Sequence, residues 1–148
     1  MATEPKFDDA FRRKLHQLFE WRRDVRHFRP DPVPGELVEE LVHEAALSPS
    51  VGFAQPWRFV RVDEPARRQV VIDSFERSNA RAIDSYENED AARYVRLKLA
   101  GLREAPVHLA VFCDESTQTG KGLGRQSMPE MLAYSSANAV YTVWLAAR

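Results

Sequence analysis

Three arginines and a carboxylate crowd into five positions, Arg22, Arg23, Asp24 and Arg26, beside the apolar Val25. Guanidinium forks at such spacing suit the two-pronged capture of a phosphate. The same run also reads as a solvated basic face balanced by Glu20 and Asp24. Asp24 has two readings as well. A carboxylate set among guanidinium groups stays ionised and can act as a base, or it pairs with Arg23, or caps the next turn, for structural reasons alone. A second stretch, Ser48 to Trp57, mixes the hydroxyl of Ser50, a glycine at Gly52 whose backbone can approach a ligand closely, and the amide of Gln55. Such a loop can frame a planar heterocycle. Alternatively it is a connector whose aromatic residues plug the core. Gly120, Gly122 and Gly124 invite comparison with glycine-rich nucleotide loops. They lack the spacing of both the P-loop and the dinucleotide fingerprint, and predict a flexible loop. His16, His27, His43, His108 and Cys113 show no paired ligand spacing, so no metal is expected.

These residues need elements to position them. Phe7, Phe11, Leu15 and Leu18 fall on one stripe of a helix over about residues 7–21, which delivers the chain to the arginines. Alternating prolines from Pro30 to Pro34 then enforce a stiff loop. From Glu36 an amphipathic pattern predicts a second helix that stops before Pro49, with acidic residues in its first turns where the helix dipole favours them. Residues 57–62 read as a strand, 66–79 and 90–104 as helices, and the polar stretch from Arg81 to Asp90 as a lid. Residues 107–113 are apolar on both faces apart from His108, which predicts a strand buried on both sides at the centre of a sheet. Residues 114–127 form a long loop. The last stretch, 129–148, is helical and carries Ala133, Ser135, Ser136, Ala137 and Ala139, small residues that admit a close neighbour. It ends without a Gly, Pro or capping signal, which predicts a helix cut short and a chain that is a fragment.

The length suits one domain with one core. Twenty-one basic and 22 acidic residues give a net charge of -1, so no global field draws the protein to nucleic acid or an anionic membrane. One cysteine rules out a disulfide framework, and the charged N-terminus is unlike a signal peptide. With no apolar run of the roughly 20 residues needed to span a bilayer, a cytoplasmic location is expected.

The segments Arg22-Arg23-Asp24-Val25-Arg26, Pro49-Ser50-Val51-Gly52-Phe53 with Gln55-Pro56-Trp57, Leu97-Lys98-Leu99-Ala100-Gly101, Gly122-Leu123-Gly124-Arg125, and Tyr134-Ser135 with Trp144 to Arg148 together resemble one family. They are similar to the aerobic 5,6-dimethylbenzimidazole synthases, the flavin-destroying branch of the nitroreductase superfamily. The likeness runs from about Glu20 to the end. The double arginine and the Pro-Ser to Gln-Pro-Trp element mark the superfamily. Asp24 is the discriminating residue, because typical nitroreductases have serine there.

The resemblance implies an α+β fold, a mixed sheet flanked by helices, incomplete at the C-terminus. It implies a homodimer with two flavin sites at the subunit interface, and reduced flavin mononucleotide (FMN) as substrate. Arg22, Arg23 and Arg26 would hold the phosphate and ribityl side. Ser50, Val51, Gly52 and Gln55 would frame the ring, and Val25 and Leu99 would also bind the cofactor. Oxygen would meet the reduced ring near Gly52, where a backbone amide would stabilise developing negative charge, while Asp24 acts as base in breaking the ribityl chain. The implied products are 5,6-dimethylbenzimidazole, the lower ligand of vitamin B12, and erythrose 4-phosphate. NAD(P)H would enter only through a separate flavin reductase. Residues 85–88 fall where the family has a lid over the flavin. The family continues beyond the last helix with a Gly-Trp-Val-Ser element and further strands that this sequence lacks. Three rivals stand beside this reading: a nitro- or quinone reductase using NAD(P)H, against which Asp24 argues; a non-catalytic flavin-binding module or inactive fragment; and nucleic-acid binding through the arginines, which the balanced charge disfavours.

Overall fold

The structure, a computed structural model, describes residues 5–83 and 99–148. Its elements are α1 (Asp9–Trp21), α2 (Gly35–Ala46), a single 3₁₀ turn (Val51–Phe53), β1 (Trp57–Arg61), α3 (Pro65–Ile83), β2 (Leu109–Cys113) and α4 (Met131–Ala146), with residues 99–104 also helical. The boundaries follow local chemistry. Asp8 caps α1, its carboxylate accepting from the Phe11 N–H at 2.8 Å. Pro34 precedes α2 and imposes the extended backbone from which that helix starts.

β1 and β2 pair antiparallel, Trp57 opposite Cys113 and Arg61 opposite Leu109. Strand alternation sends Trp57, Phe59 and Val111 to one face, where they meet α4 and α2. The centre of this packing is Ala45 against Ala139, both wholly buried, with Trp57 and Val143 closing around them. Two alanines at the crossing let α2 and α4 approach closely, the role expected of the small residues in α4. Ser135, Ser136 and Ala139 take that inner face, whereas Ala133 and Ala137 point outward.

Two expectations need correction. β2 is not buried on both sides: Phe112 is exposed, as is Val60 on β1, because the described residues pack only one face of the sheet. The helix expected from residue 7 begins at Asp9, which leaves Phe7 before it; none of the α1 residues is buried, and the Phe7 and Phe11 rings meet tilted, their centroids 4.8 Å apart. The stretch assigned to a lid begins in helix, since α3 runs on to Ile83; its remainder, including residues 85–88, lies outside the described residues. No helix among the described residues is long and apolar enough to cross a membrane.

Candidate active site

The arginine segment begins where α1 ends. Arg22 is the C-cap, its N–H bonded to the Leu18 carbonyl at 2.9 Å. Its guanidinium lies 4.0 Å over the ring of Trp144 on α4. The Trp144 indole N–H donates to the Arg23 carbonyl at 3.2 Å. One side chain of α4 therefore grips two consecutive residues of the segment. Arg23 turns its own guanidinium back onto the carbonyls of Glu20 and Arg22, satisfying acceptors that a helix end leaves open.

Asp24 pairs with Arg26, not with Arg23 as one structural reading supposed, because Arg23 is engaged by the helix end. Asp24 stays exposed, while Arg26 is the more buried partner. Val25 is exposed and, with Arg26 and Phe28, lines a cavity of about 460 Å³ against α3, residues 101–105 and β2. Beyond Arg26 the chain is tied to the helical turn 99–104. Glu104 accepts from the Phe28 N–H at 3.0 Å and lies 3.3 Å from His27 Nδ1. A side chain at Gly101 would stand 3.2 Å from both the Arg26 carbonyl and the Phe28 ring. Leu99 opens this turn, half-buried, and Leu97 and Lys98 of the same motif lie outside the described residues.

The second loop is built around a sharp turn. Ser50 Oγ accepts from the Gln55 N–H at 3.1 Å and the Ser50 carbonyl from the Phe53 N–H at 3.2 Å. Gly52, Phe53 and Gln55 all have positive φ, 52°, 57° and 43°. Two non-glycine residues in that region store strain of about 1–3 kcal/mol each, a cost met most often at functional loops. Ser135 of α4 anchors the turn by accepting from the Val51 N–H at 3.0 Å while donating to the Met131 carbonyl at 2.6 Å. The connector reading is satisfied in part, since Ala54, Pro56 and Trp57 are buried; Phe53 is not, being 70% exposed.

The glycine-rich stretch is not loose. Lys121 N–H donates to the Gly52 carbonyl at 3.3 Å, and Thr117, buried, directs its hydroxyl to the Ala54 carbonyl at 3.5 Å. Nothing in the amino-acid order signals this contact, because glycines mark backbone freedom without naming the surface they meet.

Both candidate clusters thus hang on α4, one through Ser135 and the other through Trp144. Nine residues separate these two, which is roughly 13.5 Å along the axis and half a turn around it. The clusters lie on opposite faces of the helix. α4 carries no charged side chain: Leu132 and Ala139 point inward, while Tyr134, Val140, Tyr141 and Trp144 form an exposed outer face.

Outside these clusters, burial and then the charge of Arg68 hold His108 below its ordinary value of 6.5, offset by a hydrogen bond with the Leu102 backbone. Its Nε2 is buried without a partner among the described residues. Asp114 is also lowered, first by the Ser116 hydroxyl, with further contributions from the Ser116 N–H and Arg58. Among the described residues no three His, Cys, Asp or Glu side chains converge as metal ligands.

Residues 19–148 match the Nitroreductase family. The chain is 59% identical to a 5,6-dimethylbenzimidazole synthase of Rhodospirillum rubrum over its whole length, covering 70% of that protein. It is 46% identical to a 5,6-dimethylbenzimidazole synthase of Rhodobacter capsulatus, across 96% of this chain and 69% of the relative. Among solved structures, iodotyrosine deiodinase bound to FMN and 3-iodo-L-tyrosine superposes with a TM-score of 0.69 at 25% identity, over 89% of this chain and 67% of the other. A BluB-like flavoprotein of Clostridium difficile 630 superposes at 0.63 over 90% of this chain and 68% of its own, and at 20% identity shares the fold.

Proposed function

The chain belongs to the nitroreductase family, and from that premise we propose that it is a 5,6-dimethylbenzimidazole synthase, fragmenting reduced FMN with molecular oxygen to release 5,6-dimethylbenzimidazole and erythrose 4-phosphate, with the pyrimidine part of the ring leaving as the remaining fragment. Asp24 is the observation that carries this reading over reduction of an outside acceptor. Breaking the ribityl chain needs a base, which simple electron transfer does not, and Asp24 is an exposed carboxylate within the arginine segment. The likeness to synthases in R. rubrum and R. capsulatus supports the same choice.

The donor set fits FMN. Arg22 presents a guanidinium already held over the Trp144 ring, and Arg23 and Arg26 would add positive charge for the phosphate and ribityl side, with Val25 beside them. At the ring side, Ser50, Val51, Gly52 and Gln55 form one hydrogen-bonded turn, and Leu99 supplies an apolar contact. Bound FMN supplies the carbon skeleton and the electrons given to oxygen. Asp24, with Oδ2 paired to Arg26, would take a proton from the ribityl chain at Oδ1. The Gly52 backbone offers an amide dipole to negative charge developing near the ring. NAD(P)H acts indirectly, through a flavin reductase that provides reduced FMN. The setting we infer is cytoplasmic.

We place two such sites between two copies of the chain. Because Trp144 and Ser135 lie on opposite faces of α4, the arginine cluster and the Gly52 turn of one chain face different ways. A second copy seated on the apolar outer face of α4 would bring the arginines of one chain to the turn of the other. A non-catalytic flavin-binding module is the second reading, because the cationic segment and the Gly52 turn would serve flavin binding with or without chemistry at Asp24.

The test is to supply chemically reduced FMN and air and to follow 5,6-dimethylbenzimidazole by mass spectrometry, for the chain and for Asp24→Asn. The variant should bind FMN with unchanged affinity and form no product. Equal yields from both would remove Asp24 from the chemistry, and FMN binding with no product from either would favour the binding module.

A further inference from the structure

The glycine-rich stretch 117–125 remains without a role in the reading above, yet its backbone is locked against the Gly52 turn at several points. A Cβ on Gly120 would overlap the Gly52 carbonyl oxygen and stand 2.9 Å from the Phe53 carbonyl carbon and oxygen. A Cβ on Gly52 would sit 2.6 Å from the Leu123 carbonyl oxygen and 3.1 Å from its nitrogen. On Gly124 it would meet the Val51 Cγ2 at 2.6 Å. At Gly120 and Gly52 the two loops touch backbone to backbone, with no soft layer of side chains there to absorb a shift. The register is fixed by the Lys121 N–H on the Gly52 carbonyl, and the base of the stretch by Arg125, whose guanidinium donates to the Thr117 carbonyl.

We propose that residues 117–125 are a positioning element for the Gly52 turn, with Gly120 as the residue that sets where the Gly52 carbonyl, and hence the peptide plane presented to the flavin ring, comes to rest. The flavin part of this inference rests on the function proposed above; the loop-on-loop part does not. It assigns no chemistry to Gly120. Its effect passes through Gly52, and the strain held at Phe53 and Gln55 is the kind that persists only where surroundings over-determine the backbone.

Gly122 provides an internal control. It shares the positive φ, 67° against 77° at Gly120, so alanine strains the backbone similarly at either place. However, the nearest atoms to a Cβ on Gly122 among the described residues would be the Arg125 side chain at 3.6 Å and the Gln126 side chain at 3.9 Å, ordinary contact with flexible groups. Gly120→Ala and Gly122→Ala therefore separate loop strain from displacement of the turn.

Amide hydrogen exchange across residues 50–56 of the flavin-free chain, compared by mass spectrometry, reads the displacement directly. Exchange in Gly120→Ala should rise about tenfold, an effect of about 1.4 kcal/mol on local opening, with Gly122→Ala within about twofold of the parent. Titration with FMN, followed by its visible absorption, reads the consequence: an altered spectrum of the bound flavin in Gly120→Ala and the parental spectrum in Gly122→Ala. Equal exchange in the two variants overturns the positioning role. A selective rise in exchange with the parental flavin spectrum in both variants keeps the loop contact and removes its influence on the ring. Failure of the parent itself to bind FMN rejects the functional reading, while the exchange comparison still decides the loop contact.

Discussion

Removing the indole of Trp144 should release the arginine segment from α4. Two interactions are lost in Trp144→Leu. The stacking of Arg22 at 4.0 Å, at a partly exposed site, is worth about 0.5–1 kcal/mol. The hydrogen bond to the Arg23 carbonyl at 3.2 Å contributes a net 0.5–1.5 kcal/mol, roughly. Their sum, about 1–2.5 kcal/mol, corresponds to a fall in Tm of roughly 2–10 °C for a chain of this size. Trp144→Phe keeps a ring face beneath Arg22 and loses the indole N–H, so it should recover the stacking part alone. A double-mutant cycle of Trp144→Leu with Arg22→Ala isolates that part as a coupling energy of about 0.5–1 kcal/mol. The measurement is chemical denaturation of the four proteins under one buffer. A coupling indistinguishable from zero, or a Trp144→Leu protein as stable as the parent, refutes the claim that α4 holds the segment in place.

Two other outcomes follow from the core and from His108. Ala139→Leu inserts volume where Ala45 and Ala139 are both wholly buried, and should destabilise the chain by about 1–3 kcal/mol; the urea midpoint should fall with an unchanged m-value. His108 is lowered in the folded state, so the unfolded chain binds the proton more readily. Its contribution to stability is present above its ordinary value of 6.5 and is lost as pH falls from there through the folded value. Thermal melts from roughly pH 7.5 down to 5 should show that loss, and His108→Gln should flatten the profile over that interval.

Much of the fold was legible because periodicity speaks directly about elements. Four of the expected helices and both strands are where spacing places them, to within a few residues, and 99–104 is helical at the end of the fifth, whose residues 90–98 lie outside the described residues. What periodicity could not supply was the environment of each face. The apolar outer side of β2 reads as buried, yet Phe112 is exposed, since a hydrophobic pattern reports what a strand is suited to meet and not whether the described residues supply it. For the candidate site, residue types identified both clusters, and the resemblance joined them. The clamp by Trp144, the pairing of Asp24 with Arg26 and the seating of the glycine-rich stretch on Gly52 depend on contacts across 121, 2 and about 70 positions. Only the short-range pairing had a trace in the sequence, and charge alone did not choose between its arginine partners.

The half-turn between Ser135 and Trp144 would have a genetic consequence in the proposed two-copy arrangement. A lesion among the arginines and a lesion in the Gly52 turn would each disable both sites of a pure assembly, since every site would draw one part from each chain. Mixed assemblies of the two defective chains would gather both lesions into one site and leave the other with parental parts throughout. Two inactive alleles could then complement one another, through nothing more than the phase of one helix.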